Sequence, residues 1–356
     1  MVGAVIVRDN QIVGRGWHRR IGGAHAEIEA LRDAGDFARG ATMYVTLEPC
    51  NHHGRTPPCT DAVLAAGIAR VVVAVADPNP SVRGGGINVL RSHGLSVAEG
   101  PCEEAARELN RGFFTWARCG RPFITLKAAM TLDGRLSTHT GHSQWISGPA
   151  SRRRAHLERA AHDAVLVGIG TALADNPRLD VRVDLPSEID SPPRATHPSP
   201  RRIVLDSTCR LPLDAEMCGD SHRPPLLFTT ARAPRERRLA LTDRGVEVVE
   251  VALDSDGRVA LAEVLPRLAP LGVTTLLVEG GGLVNASFLR ERAADRVVSF
   301  VAPRVVGGTP ALTPLGPVPV IRPSIDGEAR ADALRLARMR VEQLGDDLCI
   351  EGHLTW

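Results

Sequence analysis

The chain has 356 residues, a net charge of only +2, and 43% hydrophobic against 24% charged residues. This is an ordinary folded-protein composition, long enough for two domains with sizeable cores, and its near balance of charge argues against nucleic acid as a partner. No apolar run reaches the ~20 residues of a membrane span and no signal peptide opens the sequence, so the expected compartment is the cytoplasm, with no membrane partner. The seven cysteines are then expected to be reduced, and Cys102, Cys119, Cys209, Cys218 and Cys349 form no metal-like spacing. Among 43 basic residues Lys127 is the single lysine, which singles it out in an arginine-rich chain.

Residues 3–7 and 12–17 read as strands about an Asp9-Asn10 turn, and 24–34 as a helix with Ile28 and Leu31 on its apolar side and Gly35 as C-cap. A strand over 41–47, a helix over 59–66 entered through Pro57-Pro58, and a strand over 70–76 follow. The order β-β-α-β-α-β suits a layered sheet. It places His25 and Glu27 in the first turn of one helix and Cys59 at the start of the next, with Cys50 just beyond the third strand. One imidazole and two thiolates can hold a zinc ion and leave its fourth position to water, and the Glu27 carboxylate is close enough in sequence to carry protons. Zinc-dependent base deaminases use H-x-E followed by P-C-x-x-C. His25-Ala26-Glu27 matches the first half, but eight residues rather than two separate Cys50 from Cys59. A closed structural zinc site competes with this reading; it would want a fourth protein ligand, for which His52 or His53 is available.

Beyond a helical stretch after 84–86 and another over 103–111, Cys119-Gly120-Arg121-Pro122 marks a boundary between domains at 1–119 and 120–356. Short apolar runs at 123–129, 164–168, 202–205, 226–229, 246–251, 274–278 and 297–301 are of strand length and are interleaved with helical stretches, the pattern of a mainly parallel α/β sheet. Glu279-Gly280-Gly281-Gly282 follows one such strand and precedes a helix over 283–290, where backbone can approach a phosphate at the helix start. This is not the G-x-G-x-x-G fingerprint. Residues 185–200, rich in proline, read as a surface loop.

The motifs His-Ala-Glu (25–27), Glu-Pro-Cys-Asn-His-His-Gly-Arg-Thr-Pro-Pro-Cys (48–59), Thr-Leu-Asp-Gly-Arg (131–135) and Gly-His-Ser-Gln-Trp-Ile-Ser (141–147) together resemble the bifunctional riboflavin-biosynthesis deaminase/reductases of the RibD/RibG type. The resemblance runs from Val2 almost to the last residue. It implies a cytidine-deaminase-like three-layer domain followed by a dihydrofolate-reductase-like α/β domain. The implied activity is zinc-dependent deamination of a diaminopyrimidine ribosyl phosphate, then NADPH reduction of its ribosyl to a ribityl chain. It implies one Zn2+ per deaminase domain, held by His25, Cys50 and Cys59 with Glu27 catalytic. His52, Arg55, Asp77 and Asn79 are then substrate contacts, although turn chemistry alone would account for the same residue types.

In the second half the resemblance assigns the cofactor to Ala129, Trp145, Thr171, Asp175 and Ser207. It adds the run Gly281, Gly282, Leu283, Val284, Asn285, Ala286 and Ser287. Substrate falls to Ser143, Arg159, Leu179, Arg182 and Glu279. Two guanidiniums can clamp a phosphate, Glu279 can accept ribose hydroxyls, and Lys127 can add an ammonium beside them. A solvated helix face for the arginines and a core position for Trp145 are the competing readings. The sequence starts at Met1-Val2-Gly3, without the helix and Pro-Asn-Pro segment that relatives place ahead of this strand. That leaves open a monofunctional reductase with an inactive zinc-binding deaminase-like domain. A nucleoside or tRNA deaminase fused to an unrelated domain, and a non-catalytic nucleotide-binding scaffold, fit less well. The partner is expected to be a small phosphoribosyl pyrimidine, and the chain a homo-oligomer.

Overall fold

The computed structural model describes residues 1–19, 22–53, 57–79, 85–138, 145–183, 199–219, 223–307, 313–314 and 334–356. Arg55, Ser143 and most of the proline-rich 185–200 stretch lie outside these residues. The chain divides into two compact units, one over Met1–Cys119 and one from Gly120 to Trp356.

The first unit runs β1 (Gly3–Arg8), β2 (Gln11–Trp17), α1 (Ala26–Ala34), β3 (Thr42–Val45), α2 (Cys59–Ala65), β4 (Arg70–Val73), α3 (Gly85–Ser92), β5 (Ser96–Glu99), α4 (Glu103–Leu109) and α5 (Arg111–Cys119). Its five-stranded sheet has the order β2-β1-β3-β4-β5. β1 pairs antiparallel with β2 and β3, and the β3-β4-β5 side is parallel. Alternation buries Ala4 and Ile6 of β1 with Met43 and Val45 of β3 in one core.

Helix α1 packs Leu31 against the core, as expected, but its most buried side carries smaller side chains than the apolar pattern predicts. Its buried stripe is Ala26, Ala30 and Ala34, while Ile28 and Leu31 are only half-buried. The cause lies in β2. A Cβ on Gly16 would sit 2.2 Å from the Ala26 carbonyl oxygen, and one on Gly14 2.4 Å from that of Ala30. Two glycines therefore let the helix backbone lie on the strand, and only alanine fits between them. The helix also begins one residue after His25, which is its N-cap. The expected 103–111 helix is in fact two helices, α4 and α5, broken at buried Asn110, whose Nδ2 donates to the Ala106 carbonyl at 3.2 Å.

The second unit runs β6 (Phe123–Thr131), α6 (Pro149–Ala161), β7 (Ala164–Gly168), α7 (Ile169–Asp175), β8 (Arg201–Leu205), β9 (Leu226–Thr229), α8 (Arg235–Asp243), β10 (Glu247–Glu250), α9 (Leu261–Leu268), β11 (Thr275–Val278), α10 (Gly282–Arg290), β12 (Arg296–Ala302), β13 (Arg335–Leu344) and β14 (Asp347–Thr355). Its sheet has the order β10-β9-β8-β7-β11-β6-β12-β14-β13. Pairing is parallel from β10 to β12, as the interleaved pattern predicts, with the two final strands added antiparallel. The sheet buries both faces: Leu166, Ile203 and Phe228 face one core, and Val165, Val204 and Leu227 the other. The β13-β14 hairpin is absent from the sequence expectation. β13 is largely exposed on both faces, so it lacks the two-residue apolar period that marks a strand. Its one legible signal is the two-residue Gly345-Asp346 connection, with Gly345 at φ 67°.

Candidate functional site

In the first unit three ligand-bearing side chains converge. His25 caps α1, Cys59 is the first residue of α2 behind Pro58, and Cys50 ends the segment leaving β3. His25 Nδ1 lies 3.4 Å from Cys50 Sγ and 3.3 Å from Cys59 Sγ, and all three donor atoms fall within 4.8 Å of one another. Zn–S and Zn–N bonds of ordinary length at a tetrahedral angle would set an S···N edge of about 3.6 Å, so the donor set fits zinc. The backbone N–H of Cys59 donates to Cys50 Sγ at 3.3 Å, which orders the loop and favours a thiolate. The Cys59 thiol also donates to Cys50, pulling the Cys50 pKa down to about 4 and pushing that of Cys59 up.

Glu27, one residue into α1, is 3% exposed. Burial lifts its carboxyl to about 7, and Cys59 hydrogen-bonds it. A carboxyl poised near neutrality beside the ligands suits proton transfer in both directions. The His18 ring packs edge-on against that of His25, with centroids 5.4 Å apart.

Glu48 was not singled out by sequence. It is 3% exposed, and its two carboxylate oxygens accept the backbone N–H of Asp77 (3.0 Å) and of Ile87 (3.1 Å). It thereby staples the loop leaving β4 and the start of α3 to the Glu-Pro-Cys segment. Gly86 allows the approach, since a Cβ there would sit 1.8 Å from the Pro49 carbonyl oxygen. Asp77 in turn caps its own turn, accepting Asn79 N–H at 2.8 Å, and burial raises its pKa against the pull of that hydrogen bond, while exposed His52 lies close by. His52, Asp77 and Asn79 thus belong to loops gathered at Cys50. The visible signal for Glu48 was its place in the Glu-Pro-Cys motif.

The second unit carries a cleft of ≈ 1140 Å³ over the carboxyl ends of its parallel strands. Such ends are where α/β sheets hold ligands. Of the residues assigned above, Ala129, Trp145, Thr171, Asp175, Ser207, Gly281, Gly282, Leu283, Val284 and Ser287 line it, as do Lys127, Arg159, Leu179, Arg182 and Glu279. Asn285 and Ala286 do not. Both are buried on the far side of α10, where Asn285 Nδ2 donates to the Pro314 carbonyl at 3.0 Å. Gly280 and Gly168 serve packing, because a Cβ on either would lie 2.6 Å from Val284. The start of α10 therefore sits against β7 and β11 with its first N–H groups at the cleft, a fit for a dinucleotide pyrophosphate.

At the centre of the cleft, Glu279 takes both prongs of Arg159 (2.6 and 3.0 Å) and lies 3.5 Å from Lys127 Nζ. Burial opposes its charge, but Arg159 and Lys127 prevail and hold its pKa down to about 2. Arg159, with a side chain 14% exposed, is therefore no solvated helix residue. Arg182 is half exposed and pairs with Asp180 at 2.9 Å. Its backbone N–H donates to His156 Nδ1 at 3.3 Å, placing in the cleft a histidine that sequence reasoning passed over. Trp145 is 60% exposed at the cleft, with the Arg152 guanidinium 4.7 Å from its ring centroid, so it is not core.

A convergent His-Cys-Cys set with a buried glutamate in one unit, and a strand-end cleft with a glycine-started helix in the other, define a deaminase-type metal domain joined to a nucleotide-binding reductase-type domain. Comparison with known proteins agrees. Residues 1–75 match the cytidine and deoxycytidylate deaminase zinc-binding region, and 122–350 match the RibD C-terminal domain. Riboflavin biosynthesis protein RibD of Aquifex aeolicus is 44% identical over 98% of this chain and 90% of its own length, and that of Escherichia coli 38% over 98% and 92%. The structure of Acinetobacter baumannii RibD superposes with a TM-score of 0.83 at 37% identity, covering 100% of this chain and 92% of that one. A Thermotoga maritima diaminohydroxyphosphoribosylaminopyrimidine deaminase/5-amino-6-(5-phosphoribosylamino)uracil reductase gives 0.79 at 32% identity, covering 99% and 92%. The chain belongs to the RibD family of riboflavin biosynthesis proteins. It is a bifunctional enzyme with a cytidine-deaminase-like zinc-binding domain and a dihydrofolate-reductase-like, NADPH-using reductase domain. Among the described residues no helix is long and apolar enough to cross a membrane.

Proposed function

We propose that the first unit deaminates 2,5-diamino-6-(5-phosphoribosylamino)pyrimidin-4(3H)-one and that the second reduces the ribosyl group of the product to ribityl. His25, Cys50 and Cys59 would hold the zinc. When bound, the ion supplies a water acidified toward neutral pH. Glu27 takes a proton from the attacking water and returns it to the departing amino group, so that ammonia leaves. His52, Arg55, Asp77 and Asn79 hold the pyrimidine and its ribosyl phosphate, and Glu48 fixes the loop that carries Asp77. The convergence of a three-donor set with one buried glutamate carries this reading.

In the second unit NADPH supplies the hydride. Ala129, Trp145, Thr171, Asp175, Ser207 and the start of α10 seat it, while Ser143, Arg159, Leu179 and Arg182 orient the phosphoribosyl chain. Lys127 and Glu279 face the ribose. The protein works in the cytoplasm as a homo-oligomer, which light scattering in solution tests directly. The primary test is ammonia release from the diaminopyrimidine ribosyl phosphate by the purified chain with zinc and no NADPH, followed by NADPH oxidation with the deaminated product. Failure to release ammonia overturns the first half. Failure to oxidise NADPH overturns the second.

A further inference from the structure

Helix α6 turns one face toward the cleft of the second unit, where Arg152, His156 and Arg159 stand at the i, i+4 and i+7 positions and all line it. Against this face lies the chain that leaves α7. In it Asn176 and Leu179 both hold left-handed backbone, at φ 40° and 56°. Asparagine adopts that conformation readily and leucine does not. Leu179 is also 2% exposed, so its side chain is fixed in the core while its backbone carries the strain. Such a conformation persists only where the surroundings over-determine it, and it is commonest at sites that grip a ligand.

Here the surroundings are side chains that take hold of the passage just after Leu179. The Asp180 carbonyl accepts Arg159 Nη1 at 3.1 Å, and the Asp180 carboxylate takes Arg182 Nη1 at 2.9 Å and Arg178 Nε at 3.2 Å. Val181 N–H then donates to Ser199 Oγ and Arg182 N–H to His156 Nδ1, both at 3.3 Å. The Arg182 side chain is half exposed, so what fixes the origin of its guanidinium is the backbone bond to His156. Burial, and then the charges of Arg159 and Arg182, hold the His156 pKa below the ordinary imidazole value against the pull of Glu279 and the Asp180 carbonyl. Nδ1 therefore stays unprotonated and able to accept.

We infer that His156 is a positioning residue for the reduction, anchoring the 179–182 backbone to α6 and thereby setting how well the site tells a phosphorylated ribose chain from an unphosphorylated one. The inference rests on the reading of Arg159, Leu179 and Arg182 as the grip on the phosphoribosyl chain. His156 acts through Leu179 and Arg182. A guanidinium on a fixed backbone meets a phosphate without first ordering its own loop, and the ordering cost avoided appears as affinity. Without the anchor, Leu179 is free to leave its left-handed conformation and Arg182 loses its fixed origin.

The test is steady-state reduction by the full chain with NADPH and the deaminated substrate, supplied with its phosphate or with the phosphate removed, for wild type, His156→Ala, His156→Gln and His156→Asn. Asn Oδ1 falls where His Nδ1 stood, whereas Ala removes the acceptor and Gln carries it one bond too far. His156→Ala and His156→Gln are each expected to raise KM for the phosphorylated substrate about tenfold, with kcat within about threefold. For the unphosphorylated substrate kcat/KM should stay within about twofold, so that the preference for phosphate shrinks. His156→Asn should return KM to within about threefold of wild type, and KM for NADPH, within about twofold throughout, reports a correctly folded cleft. Equal losses on the two substrates would make His156 a structural brace and overturn the inference. An Asn variant no better than Gln overturns it too, as does an unchanged KM in Gln or a wild type indifferent to the phosphate. Wild type that reduces neither substrate sinks the cleft reading itself, and this inference with it.

Discussion

Around His25 the backbone sets the geometry, whereas the cleft around Glu279 is walled by side chains that hold one another. α1 lies directly on β2 through Gly14 and Gly16, and Gly86 lies on the Pro49 carbonyl. Such contacts leave no freedom to relax, and metal ligation needs none. In the cleft, Arg159, Lys127 and Glu279 satisfy each other through an ion triad that a ligand can rearrange. A site for one ion is built stiff, and a site for a long flexible cofactor is built from charges in reserve.

The largest effect should come from the chemistry of the stiff site. Glu27→Gln keeps size and burial, so zinc content measured by atomic emission should stay near one per chain while deamination falls about 10²- to 10⁴-fold. A variant that still deaminates within tenfold of wild type would remove Glu27 as the proton carrier. Next comes the ion triad. Arg159→Met strands Glu279 in a buried position with only Lys127 nearby, and unfolding of the second unit should be easier by roughly 3 kcal/mol in denaturant titration. An unchanged midpoint would show that the triad is plastic enough to reorganise.

Gly16→Ala tests stiffness itself. The added methyl meets the Ala26 carbonyl, so α1 must move, with a cost of about 1–3 kcal/mol. Zinc affinity in a chelator competition should fall with it, whereas Gly35→Ala, with nothing within 4 Å of its Cβ, should lose only the φ 53° conformation and leave zinc affinity intact. Equal loss of zinc from both would refute the idea that helix seating sets the ligand geometry.

The smallest effect concerns pH. Glu279 has its folded pKa depressed from 4.5 to about 2, so its contribution is fully present above 4.5 and is lost as pH falls through 2. The stability difference between wild type and Glu279→Gln should be flat from pH 5 to 8 and shrink only below about 4.5. A slope between pH 6 and 8 would point to a different titrating group.

The same contrast explains what could be read from sequence. Short-range spacing carried the stiff site, where His25-Ala26-Glu27 and Pro57-Pro58-Cys59 emerge where the pattern puts them, and it carried strands of the second unit such as Ala164–Gly168 and Leu226–Thr229. Leu31 of α1 packs on the core as its hydrophobicity suggests, but that Ala26, Ala30 and Ala34 form the most buried stripe is revealed only by the glycines of a different strand. Glu48 was hidden because its partners are backbone N–H groups far along the chain. β13 was missed because a strand exposed on both faces has no period to read.

β14 follows every other strand of its sheet in the sequence, yet it lies inside that sheet, between β12 and β13. It also brings Glu351 to Arg296 and Arg154, and its Leu354 N–H donates to the Asp295 carbonyl. During synthesis, therefore, β12 keeps a bare edge until residues 347–355 have left the ribosome. Until then the nascent chain presents an unpaired strand beside a half-matched buried charge, the kind of edge on which newly made chains stick to one another. The enzyme's yield in the cell thus depends on how quickly its closing hairpin arrives, a demand placed on translation rather than on catalysis.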